Sequence, residues 1–189
     1  IQNQGINSQP VITNCLFDGN TAAQLGGAVY NSEGEPTLIN STIVENTAGV
    51  DGGGVASESG QGRGPTIINS ILWNNSGLEI FDDLSSMTSA FYSNIEGGYS
   101  GTGNIDLDPS FVDAAAGDYS LAPGSPCIDA GDPASDFTLE LPPNGGRINM
   151  GAYGGTAEAS KGEDATIYHV DQEIGRDSNT GLTRSEALK

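Results

Sequence analysis

The sequence predicts an all-β chain built as a parallel β-solenoid of about three to four coils, followed by an irregular, β-rich C-terminal tail. Three observations predict it: a segment that recurs three times, the spacing of asparagine and glycine within each recurrence, and short β-branched stretches without a helical period. The segments are Pro10-Val-Ile-Thr-Asn14-Cys-Leu-Phe-Asp-Gly-Asn20, Pro36-Thr-Leu-Ile-Asn40-Ser-Thr-Ile-Val-Glu-Asn46 and Pro65-Thr-Ile-Ile-Asn69-Ser-Ile-Leu-Trp-Asn-Asn75. In each, a second asparagine follows the first by six positions, and Gly26-Gly27 and Gly52-Gly53 follow that asparagine by six more. The repeats begin 26 and then 29 residues apart, and the three extra residues fall in the polar stretch from Ser59 to Gly64, so insertion is confined to one loop.

Each element follows from this frame. Stretches such as Thr-Ile-Ile and Ser-Thr-Ile-Val favour strands, and the intervening Gly and Asn favour corners. One repeat has too little apolar surface to fold alone, whereas stacked repeats cover one another and pair their strands at about 4.8 Å. Aligning the repeats puts Phe17, Ile43 and Leu72 at one inward position and Cys15, Ser41 and Ser70 at another, two residues earlier on the same face. Cys15 is thus expected to be a small core residue. Asn14, Asn40 and Asn69 are expected to form an internal amide ladder at a corner, since Asn tolerates left-handed backbone and its amide both donates and accepts. From Leu78 the pattern weakens, and Phe91-Tyr-Ser-Asn-Ile-Glu-Gly-Gly98 reads as a fourth, shorter coil. The expected organisation is coils over 1–102, an irregular capping region over 103–155, a small polar linker over 156–164, and the strand and cap of a following module over 165–189. Ile1 reads as mid-domain sequence, so the chain is expected to be a piece of a longer protein.

Composition narrows the function. The formal charge of −19, with only six Lys and Arg, argues against nucleic acid and anionic membrane surfaces, which need clustered cationic side chains. No apolar run approaches transmembrane length, so membrane insertion is not expected. Two cysteines, Cys15 and Cys127, do not make a disulfide framework.

The tail carries Asp108-Pro-Ser-Phe-Val-Asp113, Gly124-Ser-Pro-Cys-Ile-Asp-Ala-Gly131 and Gly151-Ala-Tyr153. In these segments the chain resembles the secreted bacterial right-handed parallel β-helix repeat proteins. Gly26-Gly-Ala-Val29 and Phe17-Asp-Gly-Asn20 also resemble repeats of the polymorphic outer-membrane autotransporters. The resemblance covers roughly residues 10 to 155 and implies a right-handed solenoid on a secreted or cell-surface protein, with no particular activity. Residues 165–189, with Gly175-Arg-Asp-Ser-Asn-Thr-Gly-Leu182, resemble the start of another such β-helix.

Chemistry-bearing residues are sparse. The repeats hold one basic residue, Arg63, in the inserted loop, and the sole histidine, His169, lies in the last stretch, which is a poor inventory for a lyase. Asp82-Asp83 is the only adjacent acidic pair in the coils, and strand alternation sends its side chains to opposite faces. No catalytic residue is assigned. Calcium is the expected ligand, because hard oxygen donors are in excess. Its candidate clusters are Asp106, Asp108 and Asp113; Asp129, Asp132 and Asp136; and Asp171, Asp177 and Asn179, each with Asx-turns as the plainer reading. Trp73, Tyr92 and Tyr99 are candidate sugar platforms if they line one face, with Trp73 expected to point outward. The leading expectation is a non-catalytic extracellular surface or filament module that assembles head to tail with like modules. The alternative is a carbohydrate-binding or polysaccharide-cleaving β-helix domain.

Overall fold

The computed structural model describes residues 1–58 and 62–162. Strands of two to four residues alternate with tight corners, because β-branched triplets are interrupted at fixed intervals by residues that take left-handed backbone. The first coil contains β1 (Gln2–Gln4), β2 (Val11–Thr13), β3 (Leu16–Asp18) and β4 (Thr21–Ala22). The second contains β5 (Val29–Ser32), β6 (Thr37–Ile39), β7 (Thr42–Val44) and β8 (Thr47–Ala48). The third contains β9 (Val55–Glu58), β10 (Thr66–Ile68) and β11 (Ile71–Trp73), and the fourth β12 (Ile80–Asp82), β13 (Ser89–Phe91) and β14 (Asn94–Ile95). Equivalent strands pair in parallel to give the sheets β1-β5-β9-β12, β2-β6-β10-β13 and β3-β7-β11-β14, with a short β4-β8 pair. The protein is a parallel β-solenoid of about four turns.

The register stacks like side chains. Phe17, Ile43, Leu72 and Ile95 form one buried column, and Ile12, Leu38, Ile67 and Ala90 a second. Val29, Val55 and Ile80 form a third, so the three sheets close on a single thin core. The inward placement of Phe17, Ile43 and Leu72 thus follows from strand alternation, as expected. Ser41, Ser70 and Ser93 are also buried, in a row that satisfies itself. The Ser70 hydroxyl accepts the Ser41 N–H at 3.1 Å and donates to Ile68 O at 2.9 Å, and Ser93 repeats the pattern beneath it. Cys15 heads this row half-buried, a free thiol donating to Thr13 O.

Two rows of corners turn the chain. Asn14, Asn40 and Asn69 have φ of 51°, 46° and 50°, and Tyr92 takes the same place in the fourth coil at 48°. At the next corner Gly19, Glu45 and Asn74 lie at 64°, 56° and 57°. The left-handed role expected of the first asparagine row is therefore observed.

The tail after Gly98 does two things. Residues 102–107 add to the fourth coil, where Ile105 bridges Asn94 and accepts the Ile95 N–H at 2.9 Å. The chain then forms an antiparallel hairpin of β15 (Phe111–Asp113) and β16 (Asp118–Leu121), with a 3₁₀ turn capped by Asp113 between them. This hairpin and residues up to Gly162 cover the outer side of the β3-β7-β11-β14 sheet. A second apolar cluster forms there from Ile71, Leu121, Cys127 and Met150. Residues 156–162, expected as a linker without apolar anchors, are instead docked. Ala159 is buried, the Ser160 hydroxyl bonds both N–H and C=O of Leu121, and Gly162 donates to Pro143 O. The expected following module at 165–189, including His169, lies outside the described residues.

Candidate functional site

The first asparagine row has different partners from those expected. Asn14, Asn40 and Asn69 do not bond one another. Asn14 Nδ2 donates to Ala152 O and Gly154 O, each at 2.8 Å, and Asn40 Nδ2 donates to Gly154 O at 2.9 Å. Asn69 Nδ2 donates to Ser135 Oγ, and its Oδ1 accepts the Asp132 N–H at 2.6 Å. Left-handed corners turn these amides outward, where they hold the tail. The internal ladder forms from the second row instead: Asn20 Nδ2 donates to Asn46 Oδ1, and Asn46 Nδ2 to Asn75 Oδ1, each at 2.8 Å. Each Oδ1 also accepts the backbone N–H of the asparagine one coil earlier. A shorter polar row, Asn3–Asn31–Ser57, crosses the β1-β5-β9 sheet, with hydrogen bonds of 2.7 Å and 3.0 Å.

The fourth coil has no asparagine at the ladder position, and the Glu79 carboxylate takes its place. It accepts the Asn75 N–H and the Asn75 Nδ2–H while only 6% exposed. Burial raises the Glu79 pKa from 4.5 to about 7; the Asn75 donors oppose the shift and the Glu96 charge adds to it. Between those values the native chain keeps a proton that the unfolded chain has released, so stability falls as pH rises from 4.5 to about 7. The expected drop is about 3 kcal/mol. Urea unfolding of Glu79→Gln across that range should show a correspondingly flatter profile, and an unchanged slope would assign the pH dependence elsewhere.

The acidic candidates are dispersed. Asp106 accepts Gly97 N–H, Asp108 accepts Ser110 N–H, and Asp113 caps the turn at Ala116. Asp132 and Asp136 each accept an N–H two residues on, from Ala134 and Thr138. Asp108, Asp132 and Asp136 thus form Asx-turns, in which the side chain serves its own loop, while Asp113 caps a 3₁₀ turn and Asp106 ties back to Gly97. Among the described residues no three or more His, Cys, Asp or Glu side chains gather into one group. Neither cluster predicted within 106–136 is assembled as such, and Asp171, Asp177 and Asn179 lie outside the described residues. Asp129 differs from its sequence neighbours: its Oδ1 is buried without a hydrogen-bond partner, as is Glu140 Oε2, a residue that sequence reasoning missed.

Asp82 and Asp83 do not converge on a groove. Asp82 accepts the Thr88 N–H and hydroxyl and the Tyr99 hydroxyl, whereas Asp83 accepts Ser85 N–H and the Ser86 hydroxyl. Both close the loop that enters β13. Cys127 is fully buried, accepts from Asn94 Nδ2 at 3.1 Å, and has its thiol pKa raised to about 11 by that burial, which suits a packing role.

The aromatic candidates do not share a face. Trp73 points away from the solenoid core, as expected, but the tail half-covers it. Tyr92 packs in the same outer cluster, with the Arg147 guanidinium 5.6 Å from its ring centre. Tyr99 instead packs against the inner core and donates to Asp82. Trp73, Phe111 and Tyr119 line an open cleft of about 320 Å³ with Glu45 and Asp108 at its rim.

The ends of the stack are unlike. The fourth-coil edge is covered at β14 by Ile105. At the other end β1, β2, β3 and β4 are the outermost strands of their sheets among the described residues. That edge exposes Ile1, Ile6, Val11 and Leu16.

Among the described residues no helix is long and apolar enough to cross a membrane. One family model, the Chlamydia polymorphic membrane protein (Chlamydia_PMP) repeat, matches residues 14–32, a stretch running from the first tail-holding asparagine through β3, β4, Asn20 and the Gly26-Gly27 pair into β5. No curated protein and no solved structure matches the chain. The stretch from the latter part of the first coil through the first strand of the second is therefore similar to a repeat of a polymorphic membrane protein family, and that similarity fits the parallel β-solenoid architecture.

Proposed function

We propose that the chain is a structural, non-catalytic module of a bacterial cell-surface β-solenoid protein, stacking head to tail with like modules. The observation that carries this reading is the contrast between the two ends of the stack. At the fourth-coil end Ile105 covers the β14 edge, while at the other end the edges of β1, β2, β3 and β4 have no such cover among the described residues and carry exposed apolar side chains. Unpaired parallel edges are satisfied by another strand layer, supplied either by further chain or by a second subunit. The surface location rests on the repeat similarity of residues 14–32. The Asp82–Asp83 pair serves its own loop rather than a groove, which favours a scaffold over hydrolysis at that pair, because glycosidic cleavage needs two carboxyl groups across one groove.

The purified chain is expected to form linear oligomers with rising concentration, seen by light scattering and negative-stain electron microscopy. Val11→Lys with Leu16→Lys on the open edge should return it to monomers, since charge on an edge opposes strand addition. Monomers at every concentration, or oligomers indifferent to both lysines, would remove head-to-tail stacking from the proposal.

A further inference from the structure

Glu140 is a buried acid and Asp129 a half-buried one whose Oδ1 is inaccessible, and both have unmet acceptor capacity among the described residues. Glu140 is 3% exposed, and its Oε1 accepts the N–H groups of Asn149 at 2.9 Å and Gly155 at 2.7 Å, while Oε2 has no partner. Asn149 links the two acids, since its Oδ1 accepts the Asp129 N–H at 2.7 Å. The Asp129 carboxylate is enclosed by the backbones of Gly145 and Gly162, where any Cβ would collide with it, and its Oδ1 is also without a partner. Of the two cations in this segment, Arg147 is engaged with Gly131 O and the Tyr92 ring and Lys161 is exposed. Two orphaned carboxylate oxygens in one enclosed strap, with no donor directed at them, are the arrangement a hard cation satisfies.

We propose that Asp129 and Glu140 hold a calcium ion within the docked tail. With two carboxylates from the protein, main-chain carbonyls and water complete the oxygen shell. The ion ties residues 129–162 together, and through Asn14, Asn40 and Asn69 it locks the tail to the coils.

The test uses the full chain stripped of metal by chelation and melted with calcium or with sodium at equal ionic strength. Saturating calcium is expected to raise Tm by at least about 5 °C over sodium. The rise should be absent in Glu140→Gln and retained in Asp132→Asn, Asp136→Asn and Asp177→Asn. A rise that persists in Glu140→Gln, or disappears in Asp177→Asn, places the ion elsewhere and overturns the assignment. If Glu140→Gln does not fold, calorimetric titration of Asp177→Asn with calcium chloride decides: saturable binding supports the site. No binding means that the two acids are bridged by water or share a proton, and the proposal fails.

Discussion

Replacing Asn46 with alanine is expected to remove roughly 3–5 kcal/mol of folding free energy, read as a shift of the urea midpoint at constant slope. Asn46 is fully buried and its amide is the most connected side chain of the core. Its Nδ2 donates to Phe17 O, Val44 O and Asn75 Oδ1, and its Oδ1 accepts two N–H groups of Asn20. Truncation strands donors and acceptors in three coils at once, and each unsatisfied buried group costs about 1–3 kcal/mol. Asn40→Ala is the informative comparison. Asn40 Nδ2 makes one bond, to Gly154 O, and its Oδ1 has no partner, so that variant should lose only about 1–3 kcal/mol, part of it from alanine at positive φ. An Asn40 variant weaker than the Asn46 variant would mean that the two rows have been assigned in the wrong order.

Gly53→Ala is expected to cost about 3 kcal/mol or more, because the space a methyl group needs is occupied by another coil's main chain. The Gly53 N–H donates to Ser76 O at 2.9 Å, and a Cβ on Gly53 would fall on Ser76 N and O, with Asn46 O 2.9 Å away. Backbone cannot yield there without breaking the bonds that join the second, third and fourth coils. Gly19→Ala isolates the conformational part of such an effect: its φ is 64° but nothing lies within 4 Å of the added carbon, so about 1–2 kcal/mol is expected. Thermal melts giving the two variants equal Tm would show that the coils can spread to admit the methyl.

The parts of this fold legible in the sequence are those governed by short-range rules that repeat. Strand alternation and the recurrence together place Phe17, Ile43 and Leu72 inward, and the taste of asparagine for left-handed corners is a property of single residues. The two asparagine rows have the same spacing, so nothing in one repeat tells which amide turns inward; the corner geometry decides it. Alternation puts Trp73 and Val44 on the outer face but is silent about what covers that face. Here the cover comes from residues more than thirty positions downstream, and Val44 ends up buried. Glu79 aligns with Gly54 and Ala28, which carry no polar side chain, and its role appears only when the fourth coil is seen to lack a ladder asparagine. Asp129 was visible as an acid among acids, whereas Glu140 depends on a fold-back that brings it to Asn149. Long-range docking of an irregular tail leaves no period to read.

The amide row also gives the stack an arrow. Every Nδ2 donates in the same sense, from Asn20 to Asn46 to Asn75, and the series ends on the Glu79 carboxylate, which when ionised can only accept. A coil added before Asn20 can donate into the row, but one spliced in after Glu79 finds no donor to continue it. The molecule is therefore a ruler with a stop at one end. Duplicating residues 47–75 in frame should lengthen it by one coil, about 4.8 Å, while leaving the terminus set by Glu79 and the tail unchanged.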